Sequence, residues 1–136
     1  MYRARLHAWR DDRGAAVIEF ALIVPLLLLL LFGIIDMSRA FYTLNNLASA
    51  VREGARRGAV ADTRPDLGTI RDSVRQTVMR SFLPIGPALR QDDVFVTLVG
   101  GRQVKVEAVY PFAPLLLTNW KFPVTRNAIF RWEQAP

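Results

Sequence analysis

Residues 15–35 form a run of 21 residues that carries one charge, Glu19. No other feature constrains the chain as strongly. A bilayer core takes about 20 mainly apolar residues in a helix. Hydrocarbon also leaves the backbone to satisfy its own hydrogen bonds, so a helix is the single-segment solution. The run therefore predicts a transmembrane helix over 15–35. A secretory signal peptide is one alternative, since Ser38-Arg39-Ala40 could pass for a cleavage site. The apolar run is too long for that and begins with a carboxylate. A buried core helix is another, opposed by six consecutive leucines at 26–31 that are apolar on every side. A plain single-pass anchor explains everything but Glu19. Arg3, Arg5, Arg10 and Arg13 precede the run, offset by Asp11 and Asp12, and only Asp36 and Arg39 closely follow it. The positive-inside bias puts 1–13 in the cytoplasm and 36–136 outside it. The expected location is the cytoplasmic (inner) membrane, with the C-terminal part outside.

Glu19 is the informative residue. A carboxylate within a membrane helix costs on the order of 2.5–3.5 kcal/mol at the bilayer centre and less near the interface. Its setting is Arg13-Gly14-Ala15-Ala16-Val17-Ile18-Glu19-Phe20. A basic stretch, a glycine, and a glutamate five residues later resemble the class III signal of type IV pilins and pseudopilins. The resemblance implies that a prepilin peptidase cuts between Gly14 and Ala15 on the cytoplasmic side and leaves the apolar helix attached. Glu19 would then be the fifth residue of the mature chain and would pair with the α-ammonium of a neighbouring subunit. Breaking such a pair in low dielectric strands a buried charge. Alternatively, Glu19 snorkels to the cytoplasmic interface.

The helical pattern continues past the span to about residue 60. Phe41, Leu44, Ala48, Val51 and Ala55 fall on one helical face. Ala50, Gly54 and Gly58 form a second stripe at i+4 spacing, and Arg52, Arg56 and Arg57 lie on the other side. Small residues at that spacing admit another helix or this chain's own sheet. Helix from 15 to 58 would extend roughly 66 Å, with Pro25 bending the apolar half or being tolerated there. Over 13–59 the chain resembles the TadE-like family, pseudopilins of the tight adherence pilus. The resemblance rests on Gly14-Ala15-Ala16-Val17-Ile18-Glu19-Phe20-Ala21-Leu22, Pro25-Leu26 and Phe32-Gly33-Ile34-Ile35-Asp36. It rests also on Val51-Arg52-Glu53-Gly54-Ala55-Arg56, the family's REGAR element. The ending Asn127-Ala128-Ile129-Phe130-Arg131-Trp132-Glu133 is similar to the family's last strand. Asp11 and Asp12 depart from the purely basic leader the family often has.

Beyond the helix, Thr63-Arg64-Pro65-Asp66 predicts a turn and a helix start. Leu67, Ile70, Val74, Val78 and Phe82 carry a helix over about 66–83, with Arg71, Arg75 and Arg80 on a solvated face. Pro84-Ile85-Gly86-Pro87 ends it. Strands are expected at about 94–99, 102–110 and 124–133, the first two joined by a two-residue turn at Gly100-Gly101. An apolar linker over 111–120, with a short helical turn at 115–117, leads to the last strand, where Phe130 and Trp132 face the core. The expected fold is α+β and pilin-like: a long N-terminal transmembrane helix, a second helix, and a three- or four-stranded antiparallel sheet. The organisation is a cleaved cytoplasmic leader (1–14), a transmembrane helix (15–35), its extracytoplasmic continuation (36–60) and a small domain (61–136).

Function classes narrow quickly. In 136 residues there is no cysteine, which excludes a disulfide scaffold, thiolate chemistry and a Cys-based zinc site. The one histidine, His7, lies ahead of the apolar run, so no His-based metal cluster or Ser-His-Asp triad is expected. Asp92-Asp93 is the only adjacent acidic pair after the apolar run and reads as a solvated loop. Gly100-Gly101 lacks the Lys-Ser/Thr and helix of a phosphate loop. The net charge of +6 comes from 16 Arg and 2 Lys against 12 acidic residues, and falls to +4 without 1–14. The arginines are interleaved with acids rather than gathered on one face, so nucleic acid is not an expected partner. No enzyme activity, metal or cofactor is implied. The resemblance implies a minor pilin or pseudopilin of a tight adherence (Flp-type) pilus. Its implied partners are a prepilin peptidase, the major pilin and other minor pilins, the inner-membrane pilus platform and membrane lipid. The alternative is a single-pass, membrane-anchored binding or sensor domain unrelated to pili.

Overall fold

A computed structural model describes residues 12–61, 67–100, 103–116 and 119–131. In chain order these form helix α1 (Asp12–Val60), helix α2 (Leu67–Ser81), a short 3-10 turn (Gln91–Asp93), and strands β1 (Val94–Val99), β2 (Gln103–Phe112) and β3 (Phe122–Arg131). The α+β class, the second helix and a three-stranded antiparallel sheet are as the sequence predicts. Two compact units divide the chain, the first ending at Ile35 and the second starting at Asp36.

The first unit is the apolar part of α1. It runs through Pro25 without interruption. Val17, Phe20, Leu22 and Leu26 are each about two-thirds exposed, and none of the large apolar residues at 17–31 belongs to the buried core. Among the described residues this is the only helix long and apolar enough to cross a membrane.

The second unit has a core of its own. From α1 it takes Leu47, Ala50, Val51 and Ala55, and from α2 Ile70, Val74 and Val78, followed by Phe82. Ile70, Val74, Val78 and Phe82 are four apart, which stacks them on one side. The sheet order is β1-β2-β3, with both pairs antiparallel. On β2 the even-numbered residues Val104, Val106, Ala108, Tyr110 and Phe112 are buried. The register places Val94 opposite Ala108 and Val96 opposite Val106, so β1 presents the same face.

Four details differ from the sequence pattern. Phe41 is 58 % exposed. The buried stripe instead runs through Thr43, Leu47, Ala50, Val51, Ala55 and Ala59, because the covering elements sit closer to the small-residue side. Thr43 lies inside without loss because its hydroxyl donates to the Arg39 carbonyl at 2.8 Å. Strand β2 continues through Pro111 and Phe112, two residues of the predicted linker. Pro111 faces Pro123 across the pair, so two residues without N–H groups oppose each other. Val99 pairs with Gln103, which makes the connection three residues (100–102) rather than two. Gly100 takes a φ of +60°, a left-handed conformation that favours glycine. Finally, β3 is an edge strand. Val124 and Ala128 pack on the core, while Phe130 on the same face is 37 % exposed. Trp132, Glu133, Gly101, Leu117, the turn at 63–66 and leader residues 1–11 lie outside the described residues.

Candidate functional site

Gly14 and Ala15, the predicted processing position, lie near the first described residues of α1. One turn further on, Glu19 is exposed between the exposed side chains of Ile18 and Phe20. Among the described residues, nothing covers the apolar surface on which its carboxylate sits.

The string Arg52-Glu53-Gly54-Ala55-Arg56 divides between two faces of α1. Gly54 and Ala55 point inward. A Cβ on Gly54 would collide with Cγ2 of Val78, and one on Gly58 would meet Val104 Cγ1 and Val74 Cγ2 at 3.0 Å each. Together with buried Ala50, these glycines give α2 and β2 a close approach within this same chain. Arg52, Glu53 and Arg56 are on the outward side, where Arg56 grips Glu53 with two hydrogen bonds, Nε to Oε2 at 3.1 Å and Nη2 to Oε1 at 2.8 Å. Those hydrogen bonds hold the Glu53 carboxyl below its ordinary value and raise the Arg56 guanidinium.

A third cluster has no counterpart in the sequence reading. The Asp36 carboxylate, first residue after the apolar run, accepts a hydrogen bond from Arg39 Nη1 at 2.7 Å. It also accepts the Leu115 backbone N–H at 3.0 Å and 2.9 Å on its two oxygens. Arg39 in turn lies 5.5 Å from the centre of the Phe112 ring. An Asp followed by an Arg three residues later announces an i,i+3 pair, but nothing local announces a tie to residue 115. Nearby, the Tyr110 hydroxyl donates to the Pro87 carbonyl at 3.0 Å, and its ring meets Phe82 edge-on. Burial pushes this hydroxyl's pKa up, opposed by the Arg39 charge.

The acidic pair Asp92-Asp93 belongs to the 3-10 turn before β1. Among the described residues, no group of three or more His, Cys, Asp or Glu gathers to hold a metal ion. The surface hollow beside α2, lined by Thr69, Asp72, Ser73, Arg75, Gln76 and Gln91, has a volume of about 460 Å³. Arg75 Nε there donates to the Val94 carbonyl at 3.1 Å, a tie between α2 and β1.

No curated protein and no solved structure gives a significant match to the chain. The ending at 127–133, expected to be similar to the family's last strand, lies outside the segment that matches a family. That segment starts at Gly14, spans the apolar run with Asp36 and Arg39, and stops at Arg56 of the outward ion pair. Residues 14–56 match the family described as TadE-like protein, a pilus-associated family.

Proposed function

We propose that this chain is a minor pilin or pseudopilin that assists assembly of a tight adherence (Flp-type) pilus. It is processed between Gly14 and Ala15 by a prepilin peptidase and packs through its N-terminal helix against the major pilin, other minor pilins and the inner-membrane pilus platform. The observation that carries this reading is the first half of α1. Over 15–35 it is an uncovered apolar helix with one carboxylate, five residues after Gly14, inside a segment that matches a pilus-associated family.

The chemistry follows from the helix. Cleavage frees an α-ammonium on Ala15. A positive charge at a helix N-terminus is opposed by the macrodipole, so the ammonium needs a carboxylate nearby. Glu19 supplies one, and a partner subunit's ammonium relieves the cost of carrying Glu19 into hydrocarbon. The pair sets the axial register of neighbouring helices, because only one stagger brings the two charges together.

N-terminal sequencing, or intact mass, of protein purified from its native membrane tests the processing step. A chain that starts at Ala15 supports it. A chain still beginning at Met1, or one beginning near Phe41, overturns it. The variant Glu19→Ala should insert in the membrane normally and abolish pilus assembly, and normal surface pili with that variant would reject the pairing role.

A further inference from the structure

We propose that the described residues of the β2–β3 connection make a second membrane contact, an interfacial foot whose Leu115, Leu116, Trp120 and Phe122 side chains lie in the lipid headgroup layer. The proposal rests on the reading of residues 15–35 as a bilayer-spanning helix. A 21-residue helix rises about 31 Å, which matches a hydrocarbon core of about 30 Å. Asp36 is the next residue in the chain, so it stands at the hydrocarbon boundary. Its carboxylate holds the Leu115 backbone N–H at 2.9 Å and 3.0 Å. That places Leu115 at the same level.

The other members follow from the register. Phe112, beside Arg39, is paired with Phe122 across the β2–β3 ladder. Arg39 is less than one helical turn beyond Asp36, a rise of roughly 4.5 Å. The Trp120 ring lies 6.4 Å from the Phe122 ring. The headgroup layer is about 5–7 Å deep on each side of the hydrocarbon, so the group falls within it. All four side chains are exposed, Trp120 at 63 % and Leu116 at 55 %. They are uncovered apolar side chains of the unit whose first residue, Asp36, follows the apolar run directly in the chain. Exposed Lys121 sits between the two aromatic residues, where an ammonium meets lipid phosphate. Tryptophan with a flanking cation is the composition that bilayer interfaces favour. The Asp36 carboxylate is itself occupied by Arg39 and Leu115, so no bare charge is carried into that layer.

The test uses the full chain with Trp9→Phe and Trp132→Phe, which leaves Trp120 as the sole tryptophan. It is reconstituted at low density in vesicles of phosphatidylcholine and phosphatidylglycerol, with or without bromine at shallow acyl positions. The expected result is a blue-shifted Trp120 emission that shallow bromine quenches about twofold, as for an indole at the headgroup boundary. Adding Leu115→Ser and Leu116→Ser should reduce that quenching without changing the circular dichroism. A Trp120 emission quenched by aqueous iodide but not by bromolipid overturns the proposal. Protection from both quenchers also overturns it, and assigns the surface to a protein neighbour. The anchor is read separately with Leu28→Trp in a chain carrying Trp9→Phe, Trp120→Phe and Trp132→Phe. Deep-brominated lipid quenching this reporter while Trp120 stays unquenched rejects the foot and keeps the anchor. Absence of quenching at both positions rejects both.

Discussion

The two halves of helix α1 dispose of their apolar residues in opposite ways. Up to Ile35 the leucines and isoleucines are exposed on every side. From Asp36 onward one stripe is buried, and Leu47, Ala50, Val51 and Ala55 are wholly inaccessible. The backbone conformation is the same in both, so helix propensity does not make the difference. A stripe of small and apolar residues with polar ones opposite can be covered by one helix and one sheet face. A surface that is apolar all round cannot, and calls for lipid or other helices. The first half therefore looks outward for its partners, and the second has found them in its own chain.

The largest expected effect sets the halves directly against each other. Leu47→Ala should destabilise the second unit by about 3 kcal/mol, the cost of a fully buried leucine. Leu28→Ala should change the same unfolding transition by less than about 0.5 kcal/mol. Urea titration in detergent micelles measures both, and equal losses would break the comparison. A middle-sized effect comes from the glycines. Gly54→Ala pushes a methyl into Val78, which should cost about 1–2 kcal/mol. Gly33→Ala meets nothing within 4 Å and should leave that transition unchanged. If Gly33→Ala nevertheless blocks pilus assembly, a neighbouring helix sits against Gly33, which sharpens the contrast.

The smallest effect tests how completely the second unit satisfies its own polar groups. Tyr110→Phe removes the hydrogen bond to the Pro87 carbonyl and should cost about 1 kcal/mol. The folded-state pKa of Tyr110 is raised above its ordinary 10.0 by burial. Its contribution is thus fully present below pH 10 and is lost as pH rises through the folded-state value. Stability measured against pH should therefore fall less steeply on the alkaline side in Tyr110→Phe than in the parent chain.

Much of this was legible in the sequence because the signals are local. The apolar run, the i+4 spacing of Ala50, Gly54 and Gly58, and the alternation along β2 each report a period that the backbone imposes. The misplacements share a cause. Phe41 continues a plausible helical face, but which face is covered depends on where α2 and β2 arrive. Pro111 and Phe112 read as linker because proline argues against a strand, yet at Pro111 strand β2 has passed the end of its pairing with β1 at Ala108, and an edge position tolerates proline. The Asp36 tie to Leu115 joins residues 79 apart, and no local pattern carries such a pairing.

The amino-acid sequence by itself determined that this chain has one span suited to a bilayer, a carboxylate inside it, and a small α+β domain after it. These follow from composition and periodicity, which act through solvation and backbone geometry at short range. Only the tertiary structure decided that the glycine stripe admits this chain's own α2 and β2, and that an apolar loop hangs from Asp36. Those outcomes depend on contacts between distant segments, where side-chain volume and a few hydrogen bonds select one register among several the local pattern allows.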